Sequence, residues 1–449
     1  MVRELTKKQI FGAWKGTRGW RMFCDMKMKK VFFVLAGVSI QLAGAQWPEW
    51  RGPNGNGALE SGALPAKLDT EGGNLRWKTA LPGRACSTPV VAKGGLYLTS
   101  PVDGQDALLA FDLQGKERWR QVYGAVTPGR GQRVGSSANS SPVCDGETVV
   151  GYFKSGRVAA CSVDGKKLWE KDLHALYGED KLWWDQGTSP ILYQSSVIVA
   201  VMQTEGNSYL VSFDLKTGKV NWKTERKFET AKESGDSYTS PHLLTIDGVD
   251  TVVCFGADHL TGHDAATGEQ LWSCGGINPE NRGMWRTIAS SVVTEGIVVV
   301  PHGRGGYLMG IKAGGKGDIT ESAVLWRKEM ATVDAASLVG RDGRVYQVVD
   351  RGRDRGQVMC LDARTGEVLW DGSLPKSAQT YYASPILVGN TLCIPREDGV
   401  VFMVEVKKDG LGQVTESELG EALIASPIYA EGMLILRSDK HLWAFKVES

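Results

Sequence analysis

Seven tryptophans recur along this chain at intervals of 42 to 54 residues, a spacing that indicates a repeat architecture. Most of them end a similar local sequence: an aspartate, a short turn with glycine, and an alternating segment. Residues 213–222, 263–272 and 361–370 are the clearest copies. We interpret each copy as a hairpin whose glycine supplies the positive φ of a tight turn. The full set is Trp77, Trp119, Trp169, Trp222, Trp272, Trp326 and Trp370.

A second motif runs in phase with the first. Small residues followed by proline precede an apolar segment in six units, and degenerate copies occupy residues 289–292 and 335–338. Proline is tolerated at the start of a strand, so the motif predicts where the innermost strand of each unit begins. Small side chains there fit a crowded axis on which eight strands converge. The six prolines are Pro89, Pro142, Pro190, Pro241, Pro385 and Pro427.

Eight units of four short strands predict an all-β fold, an eight-bladed β-propeller with four-stranded antiparallel blades. The last unit contains only three strands, at residues 426–430, 433–437 and 441–446. Residues 74–79 form a separate strand that carries Trp77. We therefore expect this N-terminal strand to join the last blade, which closes the ring and removes its free sheet edges.

The first 45 residues differ in kind from the repeats. Three lysines precede an apolar run at residues 31–40, and Ala43, Gly44 and Ala45 form a small-residue cleavage site. Residues 26–45 are therefore predicted to be a signal peptide cleaved after Ala45, with an apolar run too short to span a membrane. Residues 1–25 are interpreted as a spurious or extended N-terminus. Residues 46–73 then form an N-terminal extension, and residues 74–449 form the propeller of a periplasmic or secreted protein without a membrane span.

Composition narrows the partner classes. The chain has 52 basic and 51 acidic residues, so no overall basic field favours nucleic acid. Its eight cysteines include no Cys-x-x-Cys pair, and Cys161 and Cys360 occupy equivalent strand positions. Cysteine at such positions usually behaves as a small buried hydrophobe. We expect a monomer with buried thiols.

These motifs resemble the pyrroloquinoline-quinone (PQQ) repeat of the quinoprotein alcohol dehydrogenase-like superfamily. Asp362, Thr365, Gly366 and Trp370 stand at the positions of its tryptophan-docking pattern. The resemblance covers residues 74–449 and implies a secreted PQQ-like propeller, similar in fold to the outer-membrane assembly propeller lipoprotein. Within that family, each tryptophan is expected to pack between adjacent blades. The seventh unit departs from the pattern because it lacks the tryptophan.

The same resemblance allows a cofactor to be considered. A PQQ-dependent member is expected to show two adjacent cysteines above the quinone and a Glu/Asn/Asp calcium site beside it. This chain has no adjacent cysteine pair, and no Glu-Asn set can be matched to Asp185, Asp236 or Asp334. Calcium requires about six oxygen ligands, which isolated acids on separate blades do not establish. We therefore expect no cofactor and no metal, with PQQ plus calcium as the alternative.

A candidate binding face lies where the loops entering the inner strands meet the loops between second and third strands. Aromatic residues and arginine are enriched there, as they are in binding hot spots. The alternative is that the aromatic residues only plug the channel mouth and the arginines are solvated turns. The candidates are Trp184, Asp185, Asp236, Tyr238, Arg286, His302, Arg304, Tyr382 and Arg396.

The sequence thus favours an exported, non-catalytic binding scaffold whose ligand is a protein segment or a polysaccharide. One alternative is a PQQ-dependent oxidoreductase of alcohols or sugars. A second alternative is a carbohydrate-binding module, because tryptophan and tyrosine rings can stack on sugar rings.

Overall fold

The computed structural model describes residues 46–129 and 134–447, and within them the chain forms eight sheets arranged as an eight-bladed β-propeller. Each blade is a four-stranded antiparallel sheet, two of which gain a short parallel fifth strand. The predicted all-β fold is therefore confirmed. The predicted signal peptide at residues 26–45 and the segment 1–25 lie outside the described residues.

The strands follow the chain order of the repeats. Two strands come first: β1 (Ala58–Leu59) and β2 (Leu75–Ala80). Blades 1 to 4 then contain β3 (Val90–Ala92), β4 (Gly95–Val102), β5 (Gln105–Asp112), β6 (Glu117–Ala125), β7 (Val143–Cys144), β8 (Thr148–Tyr152), β9 (Arg157–Ser162), β10 (Lys167–Asp172), β11 (Ile191–Tyr193), β12 (Ser196–Val201), β13 (Tyr209–Asp214), β14 (Val220–Glu225), β15 (His242–Ile246), β16 (Val249–Gly256), β17 (His259–Asp264) and β18 (Gln270–Cys274).

Blades 5 to 8 continue the pattern with one insertion. Their strands are β19 (Val292–Thr294), β20 (Ile297–His302), β21 (Tyr307–Lys312), β22 (Gly317–Asp318), β23 (Val324–Glu329), β24 (Val339–Arg341), β25 (Arg344–Val348), β26 (Gln357–Asp362), β27 (Val368–Ser373), β28 (Ile386–Val388), β29 (Thr391–Pro395), β30 (Val400–Val406), β31 (Leu411–Glu418), β32 (Ile428–Ala430), β33 (Met433–Arg437) and β34 (His441–Lys446). Helical turns are short: α1 (Leu173–Tyr177), α2 (Thr320–Ala323) and a 3-10 turn at Lys232–Gly235.

Closure of the ring follows the predicted route. Strand β2 pairs antiparallel with β34, so the N-terminal strand supplies the outer strand of blade 8, and Trp77 lies opposite Ala444. The inner strands of the six units with proline begin directly after it, as at Pro89 before Val90, which confirms the reading of the second motif. The insertion in blade 5 provides β22, which pairs parallel with β18 of blade 4.

Five of the repeat tryptophans bridge adjacent blades in one common way. The Trp169 indole N–H donates to the Leu215 carbonyl of the next blade at 2.8 Å. Trp77, Trp119, Trp222 and Trp326 make the equivalent bond at 2.8 to 3.1 Å. The turn that receives Trp169 contains Gly218, whose φ is +67° and where a Cβ would lie 2.6 Å from the indole ring. Glycine is therefore required there both for backbone conformation and for close approach. This confirms the expected packing between blades.

The exceptions have local causes. Blade 7 lacks the repeat turn, and the indole nitrogen of Trp370 in the preceding blade has no partner among the described residues. Trp370 packs instead in an apolar cluster that includes Leu411. Trp272 precedes the blade whose turn is replaced by the β22 insertion, and it is buried to 1% exposure.

Apolar side chains between neighbouring sheets form the core. The seven cysteines in the described part of the chain are free thiols, and six of them are buried. Cys161 and Cys360 are fully buried, as expected from their equivalent strand positions. Among the helices of residues 46–129 and 134–447, none combines the length and apolar character needed to cross a bilayer.

Residues 47–59, here called the N-terminal plug, lie across the inner strands at one end of the channel. The backbone of Trp47 exchanges two hydrogen bonds with Val91 of blade 1. The plug also accepts backbone N–H groups from inner strands on both sides of the ring. The acceptors are the carbonyls of Pro48, Asn56 and Gly57 and the carboxylate of Glu49, and the donors are Cys144, Gly340, Leu387 and Leu192 respectively. The extension predicted at residues 46–73 is thus partly built into the propeller.

A buried arginine fixes the middle of the plug. Arg51 is 3% exposed and donates to the carbonyls of Pro385 and Leu338 at 2.8 and 2.9 Å. Burial lowers its pKa to about 9, so the guanidinium still carries its charge at neutral pH. The plug therefore ties blades 1, 2 and 3 to blades 6 and 7.

Candidate binding site

Eight hydroxyl side chains form a closed ring around the channel. Each hydroxyl oxygen accepts the backbone N–H of the equivalent residue in the preceding blade, at 2.8 to 3.1 Å. The bond from Ser426 N–H to the Thr88 hydroxyl closes the circle. The hydroxyl residues of the proline motif therefore link every blade to the next by a hydrogen bond, in addition to fitting the crowded channel axis. The hydroxyl ring consists of Thr88, Ser141, Ser189, Ser240, Ser290, Ser337, Ser384 and Ser426.

Inside this ring lies a cavity of about 250 Å³, here called the channel cup. Trp50 of the N-terminal plug contributes to its lining. Six residues of the hydroxyl ring also line it. The apolar and aromatic part of the wall comes from Trp184, Tyr238, Ile288, Tyr382 and Ile424. The cup therefore lies between Trp50 of the plug and the loops that enter the inner strands.

Trp184 is the most exposed aromatic residue of the cup wall, at 40% exposure. Its backbone N–H donates to the Tyr238 hydroxyl at 3.1 Å, and the Arg286 guanidinium lies 5.1 Å from its ring centroid. Arg286 is itself held by Glu233 at 2.6 Å. The ring is therefore positioned in advance while much of its surface stays open to solvent, which reduces the entropy cost of binding.

Ion pairs join the two sets of loops around the cup. Lys154, between the second and third strands of blade 2, pairs with Asp185 of the loop that enters blade 3. Asp334 pairs with Arg304 at 3.2 Å and with Arg351 at 2.8 Å. The two loop sets therefore meet on one face, as the sequence predicts.

Trp184, Asp185, Tyr238 and Tyr382 of the nine candidates line the cup, and Arg286 contacts Trp184. Arg304 does not line the cup, but it forms an ion pair with Asp334, the residue before the lining residue Ala335.

The remaining three candidates, like Arg286 and Arg304, lie outside the cup lining. Asp236 is buried and accepts the Thr204 N–H at 2.8 Å, which is a loop-stabilising contact. The His302 ring stacks on Tyr307 and contacts the tilted ring of Trp285, and burial lowers its pKa to about 4, so it is neutral at pH 7. Arg396 is 8% exposed and forms an ion pair with Asp398 at 2.8 Å. A binding role for the nine residues stays a prediction.

Other lining residues were not among the candidates. Trp50 belongs to the N-terminal extension predicted at residues 46–73, and nothing in its sequence places it inside the channel. Ile288 and Ile424 lie in the entering loops and look like ordinary apolar residues. Cys86 also lines the cup. Burial raises the pKa of its thiol, and the positive charges of Arg84 and Arg437 offset part of this rise.

The carboxylates around the cup do not form a calcium site. Asp185 and Asp334 are engaged by cationic side chains, and Asp236 caps a backbone N–H. Within the described residues, no cluster of three or more His, Cys, Asp or Glu side chains is placed to hold a metal ion. A divalent ion would have to displace these contacts to gain the oxygen ligands that it needs.

Comparison with known proteins agrees with this architecture. The family described as "Outer membrane protein assembly factor BamB" matches residues 12–236, 184–317 and 315–413. The chain belongs to this family. Outer membrane protein assembly factor BamB of Burkholderia pseudomallei (strain K96243) is 24% identical over 384 residues, covering 82% of this chain and 90% of that protein. The Yersinia pestis BamB is 24% identical over 246 residues, covering 54% and 55%.

Solved structures share the fold of this BamB-family chain. BamB from Moraxella catarrhalis has a TM-score of 0.56 at 16% identity, covering 86% of this chain and 99% of that one. A europium-containing methanol dehydrogenase has a TM-score of 0.64 at 12% identity, covering 87% and 89%. Quinohemoprotein alcohol dehydrogenase from Comamonas testosteroni scores 0.63 at 12% identity, covering 90% and 81%. At such identities the likeness concerns the propeller alone.

Proposed function

We propose that this protein is an exported, non-catalytic scaffold that binds a segment of a partner protein in its channel cup, in the service of outer membrane protein assembly. The observation that carries the proposal is the cup itself: a preformed pocket whose aromatic wall includes the exposed Trp184. Membership of a family described by outer membrane assembly supports the partner class and a periplasmic location.

The side chains of the cup suit protein recognition. Trp184, Tyr238 and Tyr382 offer large, amphipathic surfaces, and Arg286 adds a cation over Trp184. Tryptophan, tyrosine and arginine are the residues that most often dominate the binding energy of protein interfaces. Because the plug bonds to inner strands of five blades, a partner segment enters the cup from the face of the entering loops.

Site-directed photo-crosslinking tests the site. A benzophenone amino acid replaces Tyr382 in one variant and Leu369 in the other, because Leu369 is 39% exposed on an outer strand of blade 6. Illumination in the native periplasm should give a discrete protein adduct at position 382 only, identified by mass spectrometry. Adding Trp184→Ala should weaken that adduct at least about tenfold, the loss expected for a hot spot. Equal adducts at both positions would contradict the proposal, and a glycan adduct would favour the carbohydrate-binding alternative.

Two further measurements separate the remaining alternatives. The N-terminal mass of periplasmic protein should correspond to a chain that begins at Gln46, and a chain that retains residues 1–25 would contradict the processing proposal. The purified protein, supplied with PQQ and calcium, should not reduce an artificial dye in the presence of an alcohol or a sugar. Dye reduction that depends on both additives would instead support the oxidoreductase alternative.

A further inference from the structure

The hydroxyl ring has hydrogen-bond donors that the protein does not use. Each ring oxygen accepts one backbone N–H from the neighbouring blade, which leaves its O–H and one lone pair for other partners. No O–H of the eight donates to an acceptor within residues 46–129 or 134–447. Every one of these side chains is more than nine-tenths buried, and six of them line the cup. The base of the cup is thus a circle of donors around an open space.

The acceptance of an N–H makes each of these hydroxyls a better donor. Chains of hydrogen bonds polarise one another, and this effect is stronger in a buried environment than in water. The cavity of about 250 Å³ also exceeds the roughly 10–15 Å³ of probe volume that one water needs. A group larger than water can therefore reach the ring.

A buried cation adds positive potential next to the same wall. Arg437 is 1% exposed and donates to the carbonyls of Ser87 and Thr99 at 3.0 and 2.9 Å. Ser87 lies between the two lining residues Cys86 and Thr88. Arg437 makes no ion pair with any described acidic residue, so its charge is not cancelled locally. The carboxylate that does line the cup, Asp185, is neutralised by Lys154.

We infer that the channel cup binds the carboxylate of an aspartate or glutamate side chain presented by the partner segment. The inference rests on the proposed function and specifies its ligand. A carboxylate is an acceptor-only group with several lone-pair positions, which matches a ring of unused donors. The apolar part of the segment then packs on the aromatic wall formed by Trp184 and Tyr382, while the carboxylate lies toward the hydroxyl ring above Trp50.

Three blocked tripeptides test the inference on the wild-type mature protein. Acetyl-Leu-Glu-Leu-amide is compared by isothermal titration calorimetry with peptides in which glutamine or lysine replaces the glutamate. The glutamate peptide should bind at least about tenfold more tightly than the glutamine peptide, because hydrogen bonds to a charged acceptor are about twice as strong as neutral ones. The lysine peptide should bind most weakly.

The other outcomes are distinct. Equal affinity for the glutamate and glutamine peptides, both lost in Trp184→Ala, would overturn the carboxylate assignment and leave the cup as a protein-binding site. Absence of binding by all three peptides at millimolar concentration would also overturn the assignment. Crosslinking at position 382 would then test the proposed function independently.

A pair of ring variants locates the effect. Ser384→Ala removes one donor, whereas Ser384→Thr keeps the hydroxyl, as Thr88 does naturally in the same ring. Ser384→Ala should lower the glutamate-to-glutamine affinity ratio by about threefold or more, and Ser384→Thr should preserve it. Melting temperatures measured alongside identify any loss of fold. An unchanged ratio in a folded Ser384→Ala protein would place the carboxylate elsewhere and contradict the inference.

Discussion

The two ends of the central channel are built from different interactions. The plugged end is closed largely by backbone hydrogen bonds, which Trp47, Pro48, Asn56 and Gly57 exchange with the inner strands. The cup end is surrounded by side-chain ion pairs, and Trp184 remains 40% exposed there. Buried backbone pairing stabilises the ring, whereas exposed aromatic surface is available for a partner. Substitutions at the two ends should therefore separate stability from binding.

Removal of the plug is expected to have the largest effect. A mature chain that begins at Glu60 lacks the buried Trp47 and Arg51 and opens the channel to water. Loss of a buried tryptophan alone costs about 3–5 kcal/mol, and unpaired carbonyls add to it. Circular dichroism melting should show a large fall in the melting temperature or aggregation. An unchanged melting temperature would show that the plug is not part of the stable fold.

The repeats explain why much of this fold was predictable from sequence and the plug was not. Each tryptophan turn repeats the same local chemistry, so Asp, Gly and Trp recur at readable spacings. The proline motif likewise predicted where the inner strands start. By contrast, the plug pairs through backbone atoms, which leave no residue pattern behind. The hydroxyl ring was predicted only in part. The sequence indicated that small residues such as Ser141 and Ser384 precede the inner strands, but their hydrogen bonds to other blades depend on the closed ring.

Arg51→Ala is expected to have the next largest effect. The variant loses both hydrogen bonds to Pro385 and Leu338 and leaves two buried carbonyls without a donor. We expect a loss of about 2–4 kcal/mol in the free energy of unfolding, measured by urea denaturation. Arg353→Ala is the matched control, because Arg353 is exposed on a loop at the cup end, and it should cost less than about 0.5 kcal/mol. Similar losses in the two variants would remove the proposed difference between the ends.

Glu49 should give the plugged end a pH dependence. Burial raises its pKa from 4.5 to about 7, partly offset by the hydrogen bond from the Leu192 N–H. The folded protein therefore holds this proton more tightly than the unfolded chain does. Its stabilising contribution is complete below about pH 4.5 and is lost as the pH rises through about 7, by an amount on the order of 3 kcal/mol.

The comparison of wild type with Glu49→Gln isolates this term. The free energy of unfolding, measured by urea denaturation from pH 4.5 to 8, should fall more steeply with pH in the wild type than in the variant. Asp106, Asp258 and Asp350, whose pKa values burial also raises, titrate in both proteins and cancel in the difference. Parallel curves for the two proteins would show that the Glu49 carboxyl is solvated.

The smallest stability effect is expected for Trp184→Ala at the cup end. Its ring is 40% exposed and its indole stacks under one cation, Arg286, which keeps its ion pair with Glu233 after the change. The backbone N–H that donates to Tyr238 also remains in the variant. We therefore expect the free energy of unfolding to change by less than about 0.5 kcal/mol, although the crosslink at position 382 weakens strongly.

Trp222→Ala is the matched control, because Trp222 is 9% exposed and bonded to Ala265 of the next blade, and it should cost about 3–5 kcal/mol. If Trp184→Ala destabilised the protein as much as Trp222→Ala does, the aromatic wall of the cup would be part of the core, and its open surface would no longer argue for a partner.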